Sequence, residues 1–150
     1  MSQENSKTRS HKKTNGVGKS MAIETIRFCL FQDFKFSRLS KIPKNLIKNE
    51  EFCLDLNINN KPLTIIRNIE NEKAPIIFID KEYINFFKLE DACDFLLSLI
   101  FDSNIIPSIS FRQLLAPLMR EEECDFKEVT KYYRDKFSPF EAMKPQAYFF

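Results

Sequence analysis

The chain has 150 residues, a formal net charge of +2 and 43% hydrophobic residues, enough for one folded domain. Its two glycines exclude a G-x-G-x-x-G dinucleotide fingerprint, a G-x-S-x-G nucleophile elbow and a second glycine-rich phosphate loop. Four scattered cysteines and one histidine do not support a structural zinc site or a disulfide framework. Because neither a membrane-spanning run nor a signal-peptide core is present, we expect a cytoplasmic protein with no membrane partner.

The amino-terminal segment, residues 1–14, differs in composition from the rest of the chain. It has no apolar residue after Met1, and it carries four Lys or Arg side chains against one acid. This composition predicts a flexible basic tail. An arm that follows the phosphates of a ligand is the alternative interpretation. The folded part is then expected in residues 15–150.

Helical periodicity first appears over residues 19–31. The apolar side predicted to face the core consists of Ala22, Ile23, Ile26, Cys29 and Leu30. The opposite, polar side consists of Glu24, Thr25 and Arg27. Residues 32–50 are polar and basic and contain Pro43, so they are predicted to form a loop.

Residues 52–58 alternate between apolar and polar side chains, which predicts a half-buried strand. Turn residues follow, and 63–69 and 75–80 are predicted to complete a three-stranded antiparallel meander. Helical spacing then resumes over 89–100. A further helix is predicted to open with Ser110 as its cap, and a last one to run over 126–136. The predicted fold class is α+β, with α/β as the alternative.

Both glycines lie in a single segment, Asn15-Gly16-Val17-Gly18-Lys19-Ser20. A phosphate-binding loop needs backbone N–H groups that converge at the amino end of a helix, and glycines let the backbone approach the phosphates. A lysine then reaches the β- and γ-phosphates, and a Ser hydroxyl takes Mg²⁺. Two requirements are not met, since Lys13 replaces the first glycine of the standard motif and no strand precedes the loop.

These residues predict ATP and Mg²⁺ as cofactors. The predicted ATP-binding residues are Asn15, Gly16, Val17, Gly18, Lys19, Ser20 and Met21. Ser20 is also the predicted Mg²⁺ ligand, and no catalytic residue is predicted. The alternative is an ordinary helix amino terminus, preceded by a flexible Gly-x-Gly segment, in which Lys19 faces solvent.

The segment TNGVGKSMAIETIRFCLF resembles the phosphate loop and following helix of the heads of SMC-like and recombination-repair ABC ATPases. It is most similar to a bacterial branch found in ABC-three-component, anti-phage systems, in which a polar insertion follows the first loop glycine. FCLDLNINNKPLTIIRNI and SFRQLLAPLMREEE are similar to the next parts of such heads, less specifically. The resemblance implies that residues 15–150 form an amino-terminal head lobe, incomplete at both ends, and that residues 1–14 belong to the insertion.

The same resemblance implies that two heads enclose ATP, so the expected partner is a second copy or a complementary ATPase lobe, with nucleic acid as a further partner. The signature motif, Walker B aspartate and catalytic glutamate of the family have no counterpart here, so the chain is at most part of an ATPase. Asp80 follows a Walker B-like apolar run, but the third meander strand is the favoured interpretation, and Gln146 cannot be assigned as a Q-loop residue. The competing hypothesis is a non-enzymatic interaction or regulatory domain with a degenerate phosphate loop.

Overall fold

A computed structural model describes residues 17–101 and 109–115. The fold is α+β, as predicted, and its sheet is a four-stranded antiparallel meander with the order β1-β2-β3-β4. The strands are β1 (Glu51–Ile58), β2 (Lys61–Asn68), β3 (Ile76–Ile79) and β4 (Glu82–Asn85). The helices are α1 (Val17–Cys29), α2 (Lys44–Ile47), α3 (Leu89–Ile100) and α4 (Phe111–Leu115), with two 3₁₀ helices at Phe34–Phe36 and Arg38–Lys41. Within the described ranges no phosphate loop is identified.

The two outer hairpins of the sheet turn without glycine. Asn59 and Asn60 have φ values of 50° and 64°, and Asp80 and Lys81 have φ values of 52° and 68°. Two successive residues with positive φ form the turn that suits the twist of a tight hairpin, and Asn and Asp tolerate this conformation better than most residues. The sequence predicted three strands and missed β4, because Asp-Lys is not a typical sequence for such a turn.

The main core lies between the sheet and the two carboxyl-terminal helices of the described chain. Its buried strand residues are Leu63, Ile65, Ile77 and Ile79. Its buried helix residues are Leu89, Ala92, Cys93, Leu96, Leu97, Phe111 and Leu114. The helical spacing predicted over 89–100 is confirmed, and its apolar side faces this core.

A side chain caps one end of each of these two helices, the carboxyl end of α3 and the amino end of α4. The Asn59 amide donates to the carbonyls of Leu99, at 2.8 Å, and Ile100, at 3.2 Å, so the first hairpin turn caps the end of α3. Ser110 caps α4 as predicted, since its Oγ accepts from the Gln113 N–H and its own N–H donates to the Gln113 side chain. This reciprocal pair is a capping box. The helix predicted over 126–136 lies outside the described residues.

Helix α1 forms where it was predicted, and Cys29 of its predicted core side is fully buried, but the preceding turns of the helix do not have the predicted orientation. Glu24, assigned to the polar side, is only 5% exposed, whereas Ile23 and Ile26 are 52% and 40% exposed. Phe28, at the carboxyl end, is fully buried. Glu24 is turned inward because it finds hydrogen-bonding partners in residues 37 and 38. Part of the apolar surface of α1 consequently faces solvent.

Residues 34–48, which we call the strap, were predicted as loop but contain both 3₁₀ helices and α2. Phe34 and Leu39 of the strap are buried in a second, smaller core together with Phe28 and Ile69. The strap therefore lies against α1 and covers the side of that helix on which Glu24 sits. Short 3₁₀ turns with few apolar residues give no clear period, which is why the sequence pattern did not indicate them.

Candidate functional site

The candidate site is the amino end of α1, where the predicted residues Gly18, Lys19 and Ser20 follow Val17 in the first helical turn. Gly18 and Lys19 are exposed, and Ser20 is half-buried. Apart from its chain neighbours and the backbone of the helix itself, no described residue has an atom within 4 Å of a Cβ added at Gly18. The first turn contains no acidic residue. Because the first N–H groups of a helix lack partners within the helix and its dipole favours negative charge there, this end can accept an anion.

The remaining predicted residues differ in what they can contribute. Met21 is half-buried and packs against the second core, so only its backbone remains available to a ligand at this end. Val17 begins the helix. Asn15 and Gly16, the two residues that would form the curve of a phosphate loop, lie outside the described residues. The structure thus brings together Gly18, Lys19 and Ser20.

The carboxyl end of α1 is closed by a Schellman motif whose left-handed residue is not glycine. Phe31 has a φ of 71°. The Gln32 N–H donates to the Arg27 carbonyl at 3.0 Å, and the Phe31 N–H donates to the Phe28 carbonyl at 3.0 Å. Phe31 is fully buried in the main core. A bulky residue in this conformation costs free energy, and the burial of its ring offsets that cost.

Arg67 of β2 completes this closure from the sheet. Its guanidinium donates to the Phe28 carbonyl, to the Gln32 carbonyl at 3.0 Å and to the Glu72 carbonyl, and its Cζ lies 4.1 Å from the centre of the Phe28 ring. Burial lowers the pKa of Arg67 to about 10. A positive group at a helix carboxyl terminus stabilises the negative end of the dipole. Arg67 therefore positions α1 relative to the sheet, and with it the candidate phosphate site.

Sequence reasoning missed Arg67, although the sequence contained a signal. The buried positions of β2 alternate as Leu63, Ile65 and Arg67, and Ile69, just after the strand, continues the alternation. An arginine on the core side of a strand must find acceptors for its donors, because an unpaired buried charge is costly. The alternation pattern alone could have marked Arg67 as the centre of a buried hydrogen-bond network.

Glu24 connects α1 to the strap through a second buried network. Its Oε1 accepts from the Arg27 guanidinium at 3.1 Å, and its Oε2 accepts from the Ser37 hydroxyl at 3.1 Å and the Arg38 N–H at 2.9 Å. The Ser37 Oγ in turn accepts from the Leu39 N–H at 3.2 Å, which caps the second 3₁₀ helix. The carboxylate is thus engaged in structure, and it is turned away from the exposed first turn of α1.

The described cysteines do not form a reactive centre. Burial raises the pKa values of Cys29 and Cys93 to about 11, and the Cys29 Sγ donates to the Phe52 carbonyl at 3.6 Å. Cys53 is exposed, and its pKa is also raised, by partial burial and then by Glu51. Thiols with raised pKa values hold little thiolate at neutral pH, so they are poor nucleophiles and metal ligands.

The structure also places Asp80, the residue that resembled a Walker B aspartate. It lies at the exposed turn between β3 and β4, which agrees with the favoured interpretation of a meander strand before it. Over residues 17–101 and 109–115, no group of three or more His, Cys, Asp or Glu side chains is arranged to hold a metal ion. Gln146 lies outside the described residues.

No family model, curated protein or solved structure matches the chain. None of the helices in the described part of the chain is both long and apolar enough to cross a membrane.

Proposed function

We propose that this chain binds the phosphates of ATP at the amino end of α1. The observation that supports the proposal is that Lys19 and Ser20 occupy the first turn of a 13-residue helix whose amino end is open to solvent and free of acidic residues. Helix dipole, backbone N–H groups and the Lys19 ammonium would all favour a polyanion at this place.

Each residue has a distinct part in the proposed site. The backbone N–H groups of Gly18 and Lys19 donate to phosphate oxygens, and the absence of a side chain at Gly18 allows close approach. The Lys19 ammonium would neutralise the β- and γ-phosphates, and the Ser20 hydroxyl would be a ligand of Mg²⁺. Mg²⁺ itself supplies charge neutralisation on the phosphates. Val17 and Met21 would contribute through their backbones, and Asn15 and Gly16 remain predicted members of the site that lie outside the described residues.

The proposal extends, by resemblance, to the amino-terminal lobe of an SMC-like ABC ATPase of an anti-phage system. Such a lobe would not hydrolyse ATP alone and would act with a second copy or a complementary lobe. The exposed side of α1 supports a partner of this kind, because Ile23 and Ile26 present apolar surface directly beside the proposed nucleotide site.

Titration of the purified protein with MgATP tests the assignment. The protein is expected to bind MgATP, Lys19→Ala to abolish measurable binding, and Ser20→Ala to weaken binding chiefly when Mg²⁺ is present. Lys61→Ala is the matched control, because Lys61 is an exposed lysine at the start of β2. If Lys19→Ala and Lys61→Ala both keep the unsubstituted protein's affinity, the phosphate site is not at α1.

A non-enzymatic interaction domain is the second candidate, and exposed apolar side chains favour it. Phe87 is 89% exposed and Ile23 is 52% exposed, values typical of contact surfaces. This candidate predicts that no nucleotide is retained and that the protein self-associates or captures another protein. Sedimentation velocity with and without MgATP separates the two, since only the ATPase-lobe proposal expects nucleotide to change the association state.

A further inference from the structure

The strap concentrates positive charge that the nucleotide proposal does not use. Its fifteen residues contain no acid, and its basic residues are Lys35, Arg38, Lys41, Lys44 and Lys48. All of these residues are exposed. Because the whole chain has a net charge of only +2, this segment forms a local positive surface on an otherwise balanced protein.

The inner side of the strap is fixed by packing, which determines where the basic side chains point. Phe34 and Leu39 are buried, and Ile42 and Ile47 pack against the same second core. Two acids from outside the strap also hold its backbone: Glu24 accepts from the Arg38 N–H, and Glu72 accepts from the Phe34 N–H at 3.1 Å. The strap lysines are exposed on this ordered segment, and the Lys44 Nζ lies 6.0 Å from the centre of the Phe34 ring.

An exposed aromatic ring lies within this positive surface. Phe36 is 70% exposed, and the Lys35 Nζ lies 4.6 Å from the centre of its ring. In the second 3₁₀ helix, Arg38 and Lys41 are three residues apart, and such residues stand on the same side of a 3₁₀ helix. A ligand that carries regularly spaced negative charges together with flat rings matches this combination.

We propose that the outer side of the strap binds single-stranded nucleic acid. The lysines contact successive phosphates, and a base stacks on Phe36. An anionic membrane is the less favoured partner, because the two large exposed apolar residues, Phe36 and Leu46, are separated along the strap by Pro43 and several basic residues and do not make a continuous apolar face. This proposal does not depend on ATP binding at α1.

The test is fluorescence anisotropy with a labelled oligothymidylate of about 15 nucleotides, a length that suits one small binding surface. The full chain is compared with Lys35→Glu/Lys41→Glu/Lys44→Glu. The matched control is Lys61→Glu/Lys81→Glu/Lys88→Glu, which reverses the same number of exposed charges outside the strap. We expect the strap variant to bind at least about tenfold more weakly and with a smaller salt dependence than the control. Phe36→Ala is expected to weaken binding several-fold with the salt dependence unchanged.

Circular dichroism melting confirms that each variant is folded before binding is compared. Equal affinities of the two charge-reversed variants overturn the proposal, because binding would then follow net charge alone. Binding of phosphatidylserine vesicles without binding of the oligonucleotide also overturns it, in favour of a membrane surface. Absence of oligonucleotide binding at about 50 mM salt by the folded, unsubstituted chain overturns it as well. The Lys19→Ala variant is expected to bind the oligonucleotide normally, so failure of the ATP site and failure of the strap remain distinguishable.

Discussion

The guanidinium of Arg67 donates a hydrogen bond to the carbonyl of Phe28 and lies 4.1 Å from the centre of the same residue's ring. One side chain of the sheet thus contacts both the last backbone turn and the largest buried side chain at the end of α1. Since α1 is a single rigid rod of 13 residues, fixing this end sets the direction of its other end, where Lys19 lies. Arg67 does not belong to the proposed phosphate site, but it fixes the direction of the helix that carries Lys19.

Arg67→Leu is expected to destabilise the fold by about 3 kcal/mol or more. The substitution removes the guanidinium from the carbonyls of Gln32 and Glu72 and from the buried carbonyl of Phe28, which among the described residues keeps only the Phe31 N–H as a donor. Arg67→Lys should recover only part of the loss, because an ammonium cannot reproduce the planar arrangement of donors. Urea unfolding measures both variants.

The matched control for Arg67 is Arg112→Leu. Arg112 is 43% exposed and forms a 3.3 Å ion pair with Asp33, so its loss is expected to change stability by no more than about 1 kcal/mol. If the two leucine variants were equally stable, the capping role assigned to Arg67 would be wrong.

The orientation of α1 leads to a prediction opposite to that of the hydrophobic pattern. Glu24→Ala should cost about 2 kcal/mol or more, because the Ser37 hydroxyl and the Arg38 N–H lose their acceptor. Ile26→Ser should cost about 1 kcal/mol or less, because Ile26 is 40% exposed. Thermal and urea denaturation measure the stability of the two variants. A larger loss of stability for Ile26→Ser than for Glu24→Ala would show that Ile26 faces the core, as the hydrophobic pattern predicted.

Phe31 offers a test of backbone strain through two truncations. Phe31→Ala and Phe31→Gly both remove the buried ring, at a cost of about 3 kcal/mol or more. Alanine keeps the strain of a φ of 71°, whereas glycine relieves it. We therefore expect Phe31→Gly to be at least as stable as Phe31→Ala, although glycine within a helix ordinarily costs about 1 kcal/mol relative to alanine.

A matched comparison for Phe31 uses Ala92, which is buried within α3. Ala92→Gly should be less stable than the unsubstituted protein by about 1 kcal/mol. Urea unfolding of the three variants gives the comparison. A Phe31→Gly protein clearly less stable than Phe31→Ala would show that the left-handed conformation at residue 31 carries no strain.

The buried thiols predict a loss of stability at alkaline pH. The pKa values of Cys29 and Cys93 are raised to about 11 in the folded protein, above their ordinary value of 9.0. Between these values the folded state keeps protons that the unfolded chain releases, so the free energy of unfolding falls as the pH rises from 9 to 11. The loss is absent below pH 9 and reaches its full extent above pH 11.

Urea unfolding between pH 8 and about 11 measures this effect, and the double variant Cys29→Ala/Cys93→Ala provides the reference. All other titratable groups are common to both proteins, so the difference between the two pH profiles isolates the two thiols. Identical profiles would show that the buried thiols do not contribute to the pH dependence.

Much of the fold could be predicted from local patterns. The strict alternation over residues 52–58, the helical spacing over 89–100 and the cap at Ser110 each depend on residues within a few positions of one another, and each is confirmed. The strand β4 was missed because its turn, Asp80-Lys81, adopts positive φ without glycine or asparagine. For the candidate site, the pattern placed Lys19 and Ser20 at a helix start, and they lie in the first turn of α1.

The sequence by itself determined where α1, α3, α4 and the first three strands form and where a phosphate site is plausible, because periodicity, caps and the two clustered glycines are local signals. Only the tertiary structure decided which side of α1 is buried. The partners of Glu24 come from residues 13 and 14 positions away, and those of Arg67 from as far as 39 positions away. A hydrophobic pattern assigns polar side chains to solvent, and it cannot register acceptors and donors that distant segments supply inside the protein.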